Sequence, residues 1–243
     1  MNLFLALAEV TMRGLLGRRR TILLLLLAGV PVIVALLGRL GGARLDDAVV
    51  PILELAVRTV LPLTALVFGT SALGSELEDG TAVYLLAKPV PRWLIVAAKV
   101  FVAGTLAAAL TVGSTILTGL LVGGADPASL ATTFAFAIAM LLSSFAYAAL
   151  FVALSLVTSR ALIVGLIYTL IWEGVLAGIL EGTRAFSVRE ATLSVTQALA
   201  PERAGVGADL DASTALLLLA VVALGSLALT TVRLRSWEVR GAD

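Results

Sequence analysis

Between Asp126 and Arg160 the chain carries no charged residue. A helix rises about 1.5 Å per residue, so about 20 residues cross a hydrocarbon core of roughly 30 Å. An uncharged stretch longer than that suits lipid, where a lone segment satisfies its own backbone only as a helix. Reading the whole chain this way, with charges as boundaries, gives six apolar segments: residues 21–38, 57–75, 93–122, 130–157, 161–180 and 212–232. The expected fold class is therefore all-α. It is a polytopic membrane protein, with an N-terminal interfacial elbow helix at residues 1–20 and six transmembrane helices in a single domain, 1–243. Hydrophobic residues make up 60% of the chain and charged residues 14%. Soluble domains have about half and about a quarter.

Lys and Arg set the expected orientation. With the amino terminus in the cytoplasm, the inner ends carry Arg13, Arg18, Arg19, Arg20, Lys88, Arg92, Lys99, Arg160, Arg233, Arg235 and Arg240. The outer side receives Arg39, Arg44, Arg58, Arg184, Arg189 and Arg203, set among acids such as Asp46, Asp47, Glu181 and Glu202. The excess lies inside, as the positive-inside rule requires, and an even span count places both termini in the cytoplasm. Arg18 to Arg20 before an apolar run also suit a signal peptide. The run is longer than a typical h-region, however, and no clean cleavage site follows, so a retained first span is expected. Pro31 is expected to kink it. Lys99, inside the third span, is expected to snorkel to the headgroups, and Glu54 and Arg58 are spaced to pair at i,i+4.

The chain has no Cys and no His. Disulfides, thiolate metal sites, cysteine nucleophiles, Ser-His-Asp triads and His-ligated metals are thereby excluded. No acidic cluster lies inside a span, so no catalytic residue and no metal site is expected. A net charge of +1 without a basic tail gives no support for nucleic-acid binding.

Several segments outside the plain spans carry information. In residues 1–20, Leu3, Phe4, Leu7, Val10 and Leu15 form an apolar stripe, while Glu9 and Arg13 are placed to pair on another face. Such a helix lies in the interface. Thr158, Ser159 and Arg160 leave room only for a tight cytoplasmic turn between the fourth and fifth spans. Residues 181–211 form the longest polar stretch, expected outside, with a short amphipathic helix from Ser187 to Leu199 stopped by Pro201. A gate over the outer mouth and a plain connection are both compatible with it. In residues 76–92 the second span ends in Glu76, Glu78 and Asp79. Gly80 then permits a sharp turn, and a short apolar stretch leads to Lys88, Pro89, Pro91 and Arg92. This reads as a short interfacial helix bracketed by acids and bases, or as an ordinary charged loop.

Inside the fifth span stands Glu173. An ionisable group there is costly, and by default marks a functional position. It is able to bond to Tyr168 or the Trp172 indole, although α-helical spacing places neither directly beside it, or to meet Ser143, Ser144 or Thr115 on a neighbouring span. Glu173 then either lines the pathway, meeting a cation or a proton, or holds spans together. Gly104, Ala108, Gly113 and Gly119 are small residues of the kind that let helices approach closely in lipid.

The order acid, acid, Gly-Thr, Leu-Leu, Lys-Pro-Val, Arg, Lys in Glu76, Glu78, Gly80, Thr81, Leu85, Leu86, Lys88, Pro89, Val90, Arg92 and Lys99 resembles the signature of ABC-2 type permeases, the membrane subunits of ATP-binding-cassette transporters. Tyr168, Trp172 and Glu173 resemble a weaker pattern of the same family. The resemblance covers essentially the whole chain. It implies a multi-pass cell-membrane permease, an exporter more than an importer, working as a homodimer or heterodimer with a separate cytoplasmic ABC ATPase. The chain has no GxxxxGK(S/T) phosphate loop. ATP and Mg²⁺ would belong to that partner, with no cofactor in this chain. The resemblance makes Glu76, Glu78, Asp79, Gly80, Thr81, Leu85, Lys88, Pro89 and Arg92 a coupling segment docked on the ATPase, with Arg160 as a second contact. The competing class is an ATP-independent carrier or channel. It would show ionisable groups near the midplane or broken helices in related halves. This sequence offers Glu173, Pro31 and Pro62, with no convincing internal repeat.

Overall fold

The computed structural model describes residues 3–41, 48–78, 90–179, 181–200 and 208–235, and among these there is no strand. Helix α1 (Leu3–Leu15) precedes α2 (Arg18–Leu40). Helix α3 (Val49–Leu55) runs through a π-helical stretch, Ala56–Val60, into α4 (Leu61–Glu78). Next come α5 (Arg92–Gly123), α6 (Pro127–Val157) and α7 (Ala161–Ile167). A second π-helical stretch, Tyr168–Leu176, leads from α7 into α8 (Ala177–Ile179). Then follow α9 (Glu181–Arg184), α10 (Val188–Leu199) and α11 (Ala212–Arg235).

Five stretches are long and apolar enough to cross a membrane: Arg18–Leu40, Val49–Gly74, Arg92–Gly123, Pro127–Val157 and Ala212–Leu234. The expected fifth span is shorter, Ala161–Leu176, and more than half of it is π-helical. The all-α, polytopic character expected from the sequence is therefore present.

Helix α6 is the centre of the bundle, packed against α4, α5, α10 and α11. Its start is fixed by Asp126, whose carboxylate accepts the Ser129 N–H at 3.0 Å, with Pro127 in the first turn where its missing N–H is harmless. Burial follows position. Of the most apolar window of each helix, 67% is buried in α6 and 61% in α5, against 22% in α2 and 28% in α11. The last two are peripheral helices whose leucines face outward, as lipid-facing helices do. Helix α2 passes unbroken through Pro31 and is tied to α5 by the Ser114 hydroxyl, which donates to the Ala28 carbonyl.

Close packing between α5 and α6 depends on small residues at two of the expected positions. A Cβ at Gly104 would come within 2.6 Å of the Phe145 ring, and one at Gly119 would overlap Thr133. Gly113 differs, because a Cβ there meets nothing within 4 Å.

Helix α1 packs on α5, with Phe4 against Phe101 at a ring-centroid distance of 5.7 Å. Leu15 is buried, while Leu3 and Val10 of the predicted stripe point outward. The Glu9–Arg13 pair forms at 2.5 Å and the Glu54–Arg58 pair at 2.8 Å, as the i,i+4 spacing predicts.

Candidate functional site

Two polar clusters stand out in this apolar bundle. The first joins the ends of α4 and α5. Lys99 is 3% exposed, and its ammonium donates to the Ala72 carbonyl at 2.6 Å and pairs with Glu76 at 2.8 Å. The expected snorkelling does not occur. Its side chain turns inward because α4 packs alongside α5 and offers both an acceptor carbonyl and a carboxylate within reach. The stem is thereby buried and the charge paired, as a buried ammonium requires.

The residues expected to form a coupling segment are only partly within the described structure. Glu76 sits in the last turns of α4, and Glu78 is its final residue. Asp79, Gly80, Thr81, Leu85, Lys88 and Pro89 lie outside the described residues. Arg92 opens α5, and its Nη1 is enclosed without a hydrogen-bond partner. Arg160 is exposed in the turn after α6, where its N–H donates to the Thr158 hydroxyl at 3.2 Å. Thr158 ends α6 by adopting extended backbone, φ −142°, ψ 141°.

The second cluster surrounds Glu173, which is 2% exposed. Its carboxylate accepts from the Tyr168 hydroxyl at 2.9 Å, from the Val188 N–H at 3.0 Å, from the Arg189 N–H at 3.3 Å and from the Ser187 hydroxyl. Ser187 in turn accepts the Glu190 N–H at 3.1 Å. The first N–H groups of a helix have no intrahelical acceptor, and the helix dipole leaves that end positive. Glu173 and Ser187 together supply the missing acceptors for α10.

Tyr168, a candidate partner in the sequence that α-helical spacing does not set directly beside Glu173, makes the bond. Five residues on, a side chain lies about 140° round an α-helix. Here the backbone is π-helical from Tyr168 to Leu176, with wider turns and i→i+5 bonding, so positions five apart come into line. The Trp172 indole is not among the donors to Glu173. Ser143, Ser144 and Thr115 have other partners: Thr192 at 2.7 Å, Thr111 at 3.4 Å and the Met140 sulfur at 2.9 Å.

Sequence reasoning missed where α10 goes. The helix forms over the expected residues, but it is sunk into the bundle against α6 and α11 and does not lie over its end. Every residue from Val188 to Thr196 is buried. Its Thr192 hydroxyl lies 2.7 Å from that of Ser143, at the middle of α6, so α10 reaches the middle of the spanning helices. The polar side chains on this buried helix are largely satisfied locally. Thr192, Ser194 and Thr196 each donate to the carbonyl four residues back, and the Glu190 carboxylate accepts the Asp209 N–H at 3.0 Å. Ser187 and Glu190 form the S-x-x-E spacing that marks a helix start, the one sequence signal for where the cap would be.

The family model described as ABC-2 family transporter protein matches residues 40–236, most of the chain and both polar clusters. The chain belongs to the ABC-2 transporter family. A search of curated proteins found no match. As an ABC-2 family permease the chain is a multi-pass membrane transport protein. Its two clusters acquire distinct places. The Lys99 clamp joins α4 and α5 on either side of the signature segment. Glu173 lies where the buried helix α10 is held at mid-bundle.

Proposed function

We propose that this permease forms the substrate pathway of an ABC exporter in the cell membrane. It pairs with a second permease copy and is driven by a separate cytoplasmic ABC ATPase that binds ATP and Mg²⁺. The observation that carries this reading is the Lys99–Glu76 pair beside the Ala72 carbonyl. Residues 79–91 link α4 to α5 in sequence, and this clamp makes the two helix ends one body. A push from an ATPase on that segment then moves α4 and α5 together, as rigid-body switching needs.

Glu173 acts in this scheme as a positioning residue. Four donors already surround its carboxylate, which leaves it little capacity to meet a cation from the pathway. Its role is to hold α10 as the gate at mid-bundle, and α10 must shift for substrate to pass.

The test is a gentle-detergent pull-down of the tagged chain from its native membrane, scored for a co-purifying P-loop ATPase and vanadate-sensitive ATP hydrolysis. A stoichiometric ATPase, lost on charge reversal at Glu78 or Arg92 in a stably expressed variant, is the expected outcome. A chain that purifies alone and hydrolyses nothing, under conditions that preserve other complexes, overturns this reading in favour of an ATP-independent carrier or channel.

A further inference from the structure

A cavity of about 530 Å³ opens between the start of α2, the later turns of α4 and the turn joining α6 to α7. Two guanidinium-bearing residues, Arg20 and Arg160, line it, and no acid is among its described lining residues. Neither arginine forms an ion pair with a described residue. The remaining polar lining consists of Ser and Thr hydroxyls from α4, α6 and the turn, of which Thr70 and Ser155 already donate to carbonyls of their own helices. Two cations, with no acid among the described lining residues, make a site for a phosphate.

The other wall of the cavity is apolar and faces outward. Val157, Leu162 and Ile163 line it and are 50%, 49% and 54% exposed. Arg20 lies in the first turn of the first span and Arg160 precedes α7, so the charged wall stands at headgroup depth and the apolar wall runs toward the hydrocarbon. A soluble phosphate would use only the first wall; an anionic phospholipid uses both. We infer that this cavity binds an anionic phospholipid, with the phosphate between Arg20 and Arg160 and the upper acyl chain along Leu162 and Ile163. Basic pockets between spanning helices bind acidic headgroups in this way. The lipid would join α2 to the α6–α7 turn.

The test uses the full-length chain, purified in mild detergent with whatever ATPase accompanies it. Phosphatidylglycerol, phosphatidylcholine with the same acyl chains, and glycerol 3-phosphate are added separately. Retention is read by native mass spectrometry, and a photoactivatable phosphatidylglycerol reports the site. With two arginines at a surface of this kind, phosphatidylglycerol should be retained about thirtyfold more tightly than phosphatidylcholine. The crosslink should map to residues 157–163. In R20Q/R160Q the preference should disappear, and in R20K/R160K most of it should remain. The wild-type comparison and the crosslink need no variant, so the inference stays testable if R20Q/R160Q fails to fold. Equal retention of the two lipids, crosslinking only elsewhere, or an undiminished preference in R20Q/R160Q overturns it. Competition by glycerol 3-phosphate at equal potency assigns the site to a soluble phosphate and rejects the lipid. One-for-one displacement by added ATPase makes the cavity a protein contact and likewise rejects it.

Discussion

A carboxylate buried among spanning helices must be neutralised, paired or surrounded by donors, and Glu173 takes the third course. Two of its donors are backbone N–H groups at the first turn of α10, so the residue is defined by the helix it caps. Glu173→Gln keeps the size but replaces one acceptor oxygen with an N–H₂ group, which then faces donors. Leaving buried donors unsatisfied costs about 1–3 kcal/mol. Thermal unfolding of the purified variant should register a destabilisation of that order, and protease protection of α10 should fall. An unchanged melting curve with altered cation dependence of transport would instead make Glu173 a pathway residue. Tyr168→Phe removes one of the four donors and should behave as a weaker version of the same change. Trp172→Phe, with no bond to Glu173, should leave stability close to wild type.

At the scale of elements, the polar cluster was legible in its members but not in its geometry. Glu173 stood out because an acid in an apolar run is expensive, and Tyr168 stood out beside it. Their contact was hidden because sequence reading assumes 3.6 residues per turn, and the nine-residue π-helical stretch departs from that period. Nothing in a run of apolar residues announces wider turns. Lys99 was misread for a related reason. Snorkelling is the default for a lone lysine in a span, and only the packing of α4 beside α5 reveals an inward partner. The clamp is itself testable. Lys99→Met should cost about 1–3 kcal/mol, less than the roughly 3–5 for breaking a fully buried pair, because the Glu76 side chain remains 29% exposed. If the clamp transmits force, ATP hydrolysis by the co-purified ATPase should persist in this variant while transport falls more than stability does. Parallel loss of both would reduce Lys99 to a folding role.

At the scale of the molecule, the uncharged and apolar runs predicted an all-α membrane bundle because lipid leaves the backbone few alternatives. The same reasoning placed 181–211 outside, since a polar segment belongs in water. Helix α10 escapes that rule by satisfying its own polar groups. Its hydroxyls bond back along the helix, and its amino-terminal N–H groups are met by Glu173 and Ser187. A helix sunk this far blocks or shapes whatever passes through the bundle, and its movement can be tested directly because the chain has no cysteine. Ser143 and Thr192 carry side-chain oxygens 2.7 Å apart, near enough for a pair of cysteines to bridge α6 and α10 with little backbone movement. In S143C/T192C, oxidation should stop transport and reduction should restore it, with ATPase association unchanged in both states. The single variants S143C and T192C should transport under either condition, which separates the crosslink from the loss of the hydroxyl bond. If the oxidised protein transports at the reduced rate, α10 is a fixed wall of the pathway, and the moving part lies among α4, α5 and the peripheral helices α2 and α11.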